Sequence, residues 1–173
     1  MKKELVPNFL LTHQEIIEYV DALDETQFMR SEGGKWTAGQ QICHLFLCLQ
    51  TISNALVSKQ SIVHKFGTLE RSLMNYDQVV AIYKEGLANG GKAQDRFLPP
   101  PVSVDERFLV RNSVRGMLQL LQLQLQNFSD EELDTIVLPH PFLGRLSIRE
   151  LIYLMTFHAT HHLEQIRRAI NRN

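Results

Sequence analysis

Cysteine is scarce in this 173-residue chain. Cys43 and Cys48 are the only two, five positions apart in a segment that reads as helix. Five helical residues turn the chain by about 500°, so the thiols diverge and cannot bridge. A disulfide-stapled scaffold is excluded. Reduced thiols, with no apolar signal core behind Lys2 and Lys3, point to a cytoplasmic protein. An excess of one charge is also lacking. Eighteen Lys and Arg against 19 Asp and Glu leave a net charge of −1. Such a balance gives no field to hold a polyanion, so no nucleic-acid partner is expected. No unbroken apolar run exceeds five residues, as at 45–49 and 151–155. A membrane span needs ~20, so no membrane partner is expected either. Several chemical signatures are missing: His-Glu-x-x-His, Glu-x-x-His, a P-loop, Gly-x-Gly-x-x-Gly and Gly-x-Ser-x-Gly. Zincin, di-iron bundle, nucleotide-loop and serine-elbow chemistries therefore find no support.

What is present is a helical period nearly everywhere. The length fits one domain, residues 1–173. Val6, Phe9, Leu10, Ile16, Ile17, Val20 and Leu23 recur at three and four, giving an amphipathic first helix that Gly33 and Gly34 end. Thr37 and Gln40 form a capping box, with Trp36 placed as a staple, and open a second helix reaching about Lys59. Its wet face carries Gln50, Ser53 and Asn54. A softer stretch, 60–72, precedes a helix over 74–88 that stops at Asn89-Gly90-Gly91. Pro99, Pro100 and Pro101 make a linker. Residues 121–126 alternate Leu and Gln with a strand-like period. Val110, Val114, Met117, Leu118, Leu121, Leu125 and Phe128 keep the helical period over a longer window, and helix is preferred for 104–127. Capping boxes at Ser129/Glu132 and Ser147/Glu150 open a short helix and a final one to about Ile170, separated by a turn-rich loop, 138–144. With no convincing strand, the fold class is all-α: a four-helix bundle with additional short helices.

The chemistry is carried by histidine. His158 and His162 stand at i and i+4, which stacks two imidazoles on one helical face within reach of one metal ion. Leu151, Met155 and Ile166 share that stripe, so both rings face the interior. Burying them without partners costs on the order of a few kcal/mol, which a divalent metal offsets; the competing reading is two rings bonded to neighbours. His44, on the face shared by Gln41 and Cys48, is the natural third ligand, and Cys48 the alternative. Three neutral histidines with a fourth position open suit a catalytic rather than a closed metal site. The other candidates carry two readings each. His161, turned about 100° from His162, lies at the edge of the site or in solvent, with a ligand role as the lesser alternative; His140 either lines the pocket or caps and packs its loop. Gln165 and Gln41 either orient a ligand ring or face solvent. His13 and His64 read as surface residues, and Arg167 and Arg168 as a solvated helix end.

These residues resemble a known family. His158-Ala-Thr-His-His162-Leu-Glu-Gln165-Ile, preceded by His140-Pro-Phe-Leu-Gly144 and by Ser147-x-x-Glu150, is similar to the C-terminal motif of the DinB-like (YfiT-like) superfamily. Trp36-Thr-Ala-Gly-Gln-Gln-Ile-Cys-His44-Leu is similar to its other signature, a Trp-Ser/Thr opening to a histidine-bearing helix. The resemblance implies a DinB/YfiT-like four-helix bundle, a three-histidine metal site falling on His44, His158 and His162, zinc or nickel as the ion, and assembly as a homodimer. It implies a transferase joining a low-molecular-weight thiol to an electrophile, or a metal-dependent hydrolase; it fixes no substrate. The alternative, from another class, is a non-catalytic helical binding module with a structural or absent metal. Glu164 points away from the buried stripe and no other Asp or Glu follows it, which leaves a general base unnamed.

Overall fold

Capping chemistry sets most helix starts in the computed structural model, which describes residues 2–171. Asp24 with Gln27, Thr37 with Gln40, Asn75 with Gln78 and Ser129 with Glu132 each close a reciprocal box between side chains and backbone amides. They open α2 (Glu25–Met29), α3 (Ala38–Ala55), α5 (Tyr76–Ala88) and α7 (Asp130–Thr135). Before them runs α1 (Lys2–Asp21); α4 (Lys59–Phe66), α6 (Arg107–Gln126) and α8 (Ile148–Asn171) complete the helices. The principal packing pairs are α1 with α8, α3 with α6, and α5 with α8. The core between them is aliphatic and aromatic: Phe9, Ile16, Leu45, Leu49, Leu121, Leu125 and Ile152 are fully buried. At roughly 1.5–3 kcal/mol per buried side chain of this size, the apolar faces hold the bundle together.

Four details depart from the sequence reading. The second helix stops at Ala55, and Ser58 caps a new one, α4, bent 95° from α3, where a soft stretch was expected. Gly67, at φ 74°, ends α4 in a conformation that favours glycine. Asp24 and Gln27 open a helix that no apolar period announces. Ser53 is buried rather than wet: its hydroxyl donates to Gln124 Oε1 at 2.9 Å, and Gln124 Nε2 returns a bond to its carbonyl at 3.0 Å, fastening α3 to α6. The expected turn-rich loop is a hairpin, β1 (Val137–His140) antiparallel to β2 (Gly144–Ser147), with Leu138 opposite Leu146. Two prolines hid it, because a proline cannot donate to a ladder and reads as a breaker. The alternating Leu/Gln segment is helical, as the longer period requires. Among the described residues no single helix is long and apolar enough to cross a membrane.

The hairpin feeds straight into α8. Ser147 and Glu150 form the expected box, with bonds of 2.8 and 3.1 Å. Glu150 is wholly buried, and its carboxylate also takes both arms of the Arg71 guanidinium (2.6 and 2.8 Å) and the Met74 amide (2.7 Å). Burial opposes its charge, yet Arg71 and the two amides hold its carboxyl below the usual carboxylate range. This knot pins the start of α8 to the segment before α5 and so fixes the axis on which the histidines ride.

Candidate metal centre

Three histidines from α3 and α8 meet with their Nε2 atoms together. His158 Nε2 lies 3.3 Å from His44 Nε2 and 2.9 Å from His162 Nε2. All three side chains are buried. Local partners decide which nitrogen of each outer ring carries the proton. His44 Nδ1 bonds the Phe97 carbonyl at 2.7 Å; a carbonyl only accepts, so Nδ1 holds the proton and Nε2 presents a lone pair. His162 Nδ1 bonds Gln41 Oε1, with the same consequence. Two lone pairs therefore aim at the third ring. One proton on His158 Nε2 can serve only one of them, whereas a cation can serve all three.

The rings are held by a continuous polar chain. His162 donates to Gln41 Oε1, Gln41 Nε2 donates to Gln165 Oε1 at 3.1 Å, and Gln165 Nε2 donates to His161 Nε2. Gln41 and Gln165 thus orient the His162 ring, and His161 stands at the rim of the site. Burial pushes the His44 ring below the ordinary histidine range, against the opposing Phe97 bond, and the His158 and His162 rings well below it, with neighbouring rings adding to the effect in all three. All three are neutral near pH 7, as a metal ligand must be.

Cys48 lies one turn along α3 from His44, with Sγ 3.6 Å from His44 Nε2. Ligand atoms of His44, Cys48 and His158 all fall within 4.8 Å of one another. The protein thus offers a nitrogen-rich donor set with a sulfur at its edge, a composition suited to borderline ions such as zinc or nickel. Burial pushes the Cys48 thiol up to about 12, so it is protonated as it stands.

The donors open onto a cavity of about 370 Å³. Its walls come from α3, α5, the 94–97 segment, the hairpin and α8. Trp36, expected as a staple, is instead a wall: its ring centroid lies 4.8 Å from that of His44 and it stacks on His162 at 6.2 Å. Phe142, at the hairpin tip, reaches in over Gly86, where an added Cβ would meet its ring at 2.7 Å. His140 lines the cavity and also receives the Leu143 amide at 3.2 Å, so it both caps its turn and faces the site. Among the described residues no Asp or Glu lines the cavity, and Lys92 and Arg96 are its only cations.

His13 departs from expectation. It is fully buried rather than on the surface, with Nδ1 2.8 Å from the Phe9 carbonyl and its ring 4.5 Å from that of Phe9. The helical period contained this signal, since His13 follows Phe9 by four and precedes Ile16 by three. His64 is exposed on α4, as expected, and stands apart from the site.

The profile of the DinB superfamily matches residues 8–166. No curated protein matches the chain. The chain belongs to the DinB superfamily.

Proposed function

We propose that this DinB-superfamily chain is a metal-dependent enzyme in which His44, His158 and His162 hold a divalent ion, zinc or nickel, beside a pocket for a small thiol or electrophile. One observation carries the reading: the Nε2 atoms of three buried histidines converge, at 3.3 and 2.9 Å, while the Phe97 carbonyl and Gln41 fix the lone pairs of two of them inward. Such an ion supplies a positive charge that holds a bound thiol or water as its conjugate base near neutral pH.

The remaining work falls to the chain. Trp36, Tyr83 and Phe142 give the pocket aromatic walls beside the donors. His161 and His140 are the groups beside the donors able to take a proton, since no carboxylate lines the cavity. Lys92 and Arg96 favour an electrophile with an apolar body and an anionic end. A homodimer is supported by the solvent-exposed apolar side chains of α6, Phe108, Leu109, Leu120 and Leu123, opposite the face that packs on α3. Free thiols and near-balanced charge support a cytoplasmic protein with a small-molecule partner, and neither nucleic acid nor membrane.

A second reading is a binding module in which the ion only staples α3 to α8, with Cys48 closing its coordination; the 3.6 Å contact between Cys48 and His44 favours it. Cobalt substitution separates the two. Under the enzyme reading, adding a small thiol or azide shifts the visible bands of the cobalt protein, because a position is exchangeable. Bands that ignore both ligands and carry a sulfur charge-transfer feature lost in Cys48→Ser would establish the staple.

A further inference from the structure

Among the described residues, His13 Nε2 and His158 Nδ1 are two of only three buried side-chain nitrogen or oxygen atoms that lack a hydrogen-bond partner; the third is Arg107 Nε. Each imidazole atom is costly alone, because a buried polar group left unpaired loses its hydration without a replacement bond. Their chemistry is complementary. His13 Nδ1 donates to the Phe9 carbonyl, so His13 Nε2 is a bare acceptor. His158 turns its Nε2 toward His44 and His162, so as a ligand it must carry its proton on Nδ1, a bare donor.

These atoms stand on two helices that pack together, α1 and α8. Lys2 of α1 and Arg149 of α8 both bond Asp130, and Tyr19 of α1 lies under the Arg167 guanidinium of α8 at 5.2 Å. The helices therefore run side by side in the same direction, and their register carries His13 to the turn between His158 and His162. Consistent with that, a charge on His13 would be felt at His158.

We propose that His13 is a positioning residue for the metal centre: its Nε2 lone pair takes up the His158 Nδ1 proton through one buried water, and so fixes the tautomer that turns His158 Nε2 to the ion. The proposal rests on the three-histidine reading. It adds to His44, with its Phe97 carbonyl, and His162, with its Gln41 amide, the outer partner that His158 otherwise lacks. All three ligands then have one.

The test compares zinc affinity, by chelator competition, in the wild type, His13→Gln and His13→Met. Gln keeps an acceptor near the ε position; Met fills similar volume without one. Outer partners of ligating histidines are worth about 10–100-fold in affinity, so Met binds zinc at least tenfold more weakly than Gln, and Gln stays within a few-fold of the wild type. Equal affinity in Gln and Met would overturn the role of His13. Failure of the wild type itself to bind zinc or nickel would instead overturn the site. Nitrogen-detected NMR of the wild type gives a check free of substitution. It should show His13 protonated on Nδ1, with a slowly exchanging proton on His158 Nδ1. A proton on His13 Nε2 contradicts the proposal.

Discussion

His158 and His162 stand one turn apart on α8 with their Nε2 atoms 2.9 Å from each other. Two neutral imidazoles at that distance share a single proton unless something positive lies between them. With His44 Nε2 arriving from α3 at 3.3 Å from His158, the proton cannot satisfy every lone pair.

Replacing His158 by Ala removes the central donor. Metal binding should be abolished while the far-ultraviolet dichroism of the bundle is kept, because the core of Phe9, Leu45, Leu121 and Ile152 does not depend on the ring. Metal content measured beside dichroism checks both halves, and an undiminished content in the variant would remove His158 from the site.

Gln41→Leu tests the orientation of His162. Losing the Oε1 acceptor frees the His162 ring and interrupts the chain to Gln165 and His161. Zinc affinity should fall about 10–100-fold, measurable by the same chelator competition. The melting temperature should also fall by several degrees, since leucine leaves the buried His162 Nδ1–H without its acceptor.

Acid should destabilise the metal-free protein earlier than its carboxylates do. Burial holds His13 and His140 down to about 4, only partly offset at His13 by its bond to the Phe9 carbonyl. In an unfolded chain both titrate near 6.5. Above that pH both are neutral in either state. As pH falls from about 6.5 toward 4, the unfolded chain takes up protons that the folded one refuses, so stability drops through that window. Glu150 works lower: its depressed carboxyl stabilises the fold above the ordinary carboxylate range, and that contribution is lost as pH falls through the folded value. A melting temperature that declines between pH 6.5 and 5 supports the histidine contribution; a flat profile there contradicts it.

Glu150→Gln should cost about 1.5–3 kcal/mol, the range for hydrogen bonds to a charged group. The substitution weakens the Arg71 pairing, the Met74 amide bond and the α8 capping box together. Denaturant unfolding gives the number, and a variant as stable as the parent would show that the knot does not hold α8 in place.

Much of this architecture was legible from the chain. The period along 104–127 overrode the local Leu/Gln alternation because Leu121 and Leu125 both needed the same buried face. His158 and His162 were readable because i, i+4 spacing on an apolar stripe has few geometries. The hairpin was not legible: its strands are four residues each, and Pro139 and Pro141 mask the pairing of Leu138 with Leu146. His44 could be placed on the inward face, but its Phe97 partner comes from a segment 53 residues away, which no local pattern encodes. The burial of His13 is carried by its spacing from Phe9 and Ile16, while its polarity argues for the wet face.

The most direct test is metal content per chain, by mass spectrometry, on protein purified without an affinity tag or chelator, beside His44→Ala and His162→Ala. About one zinc or nickel per chain in the wild type, lost in both variants, is the predicted result. A wild type that takes up neither ion when both are offered, or variants that keep it, would contradict the three-histidine centre.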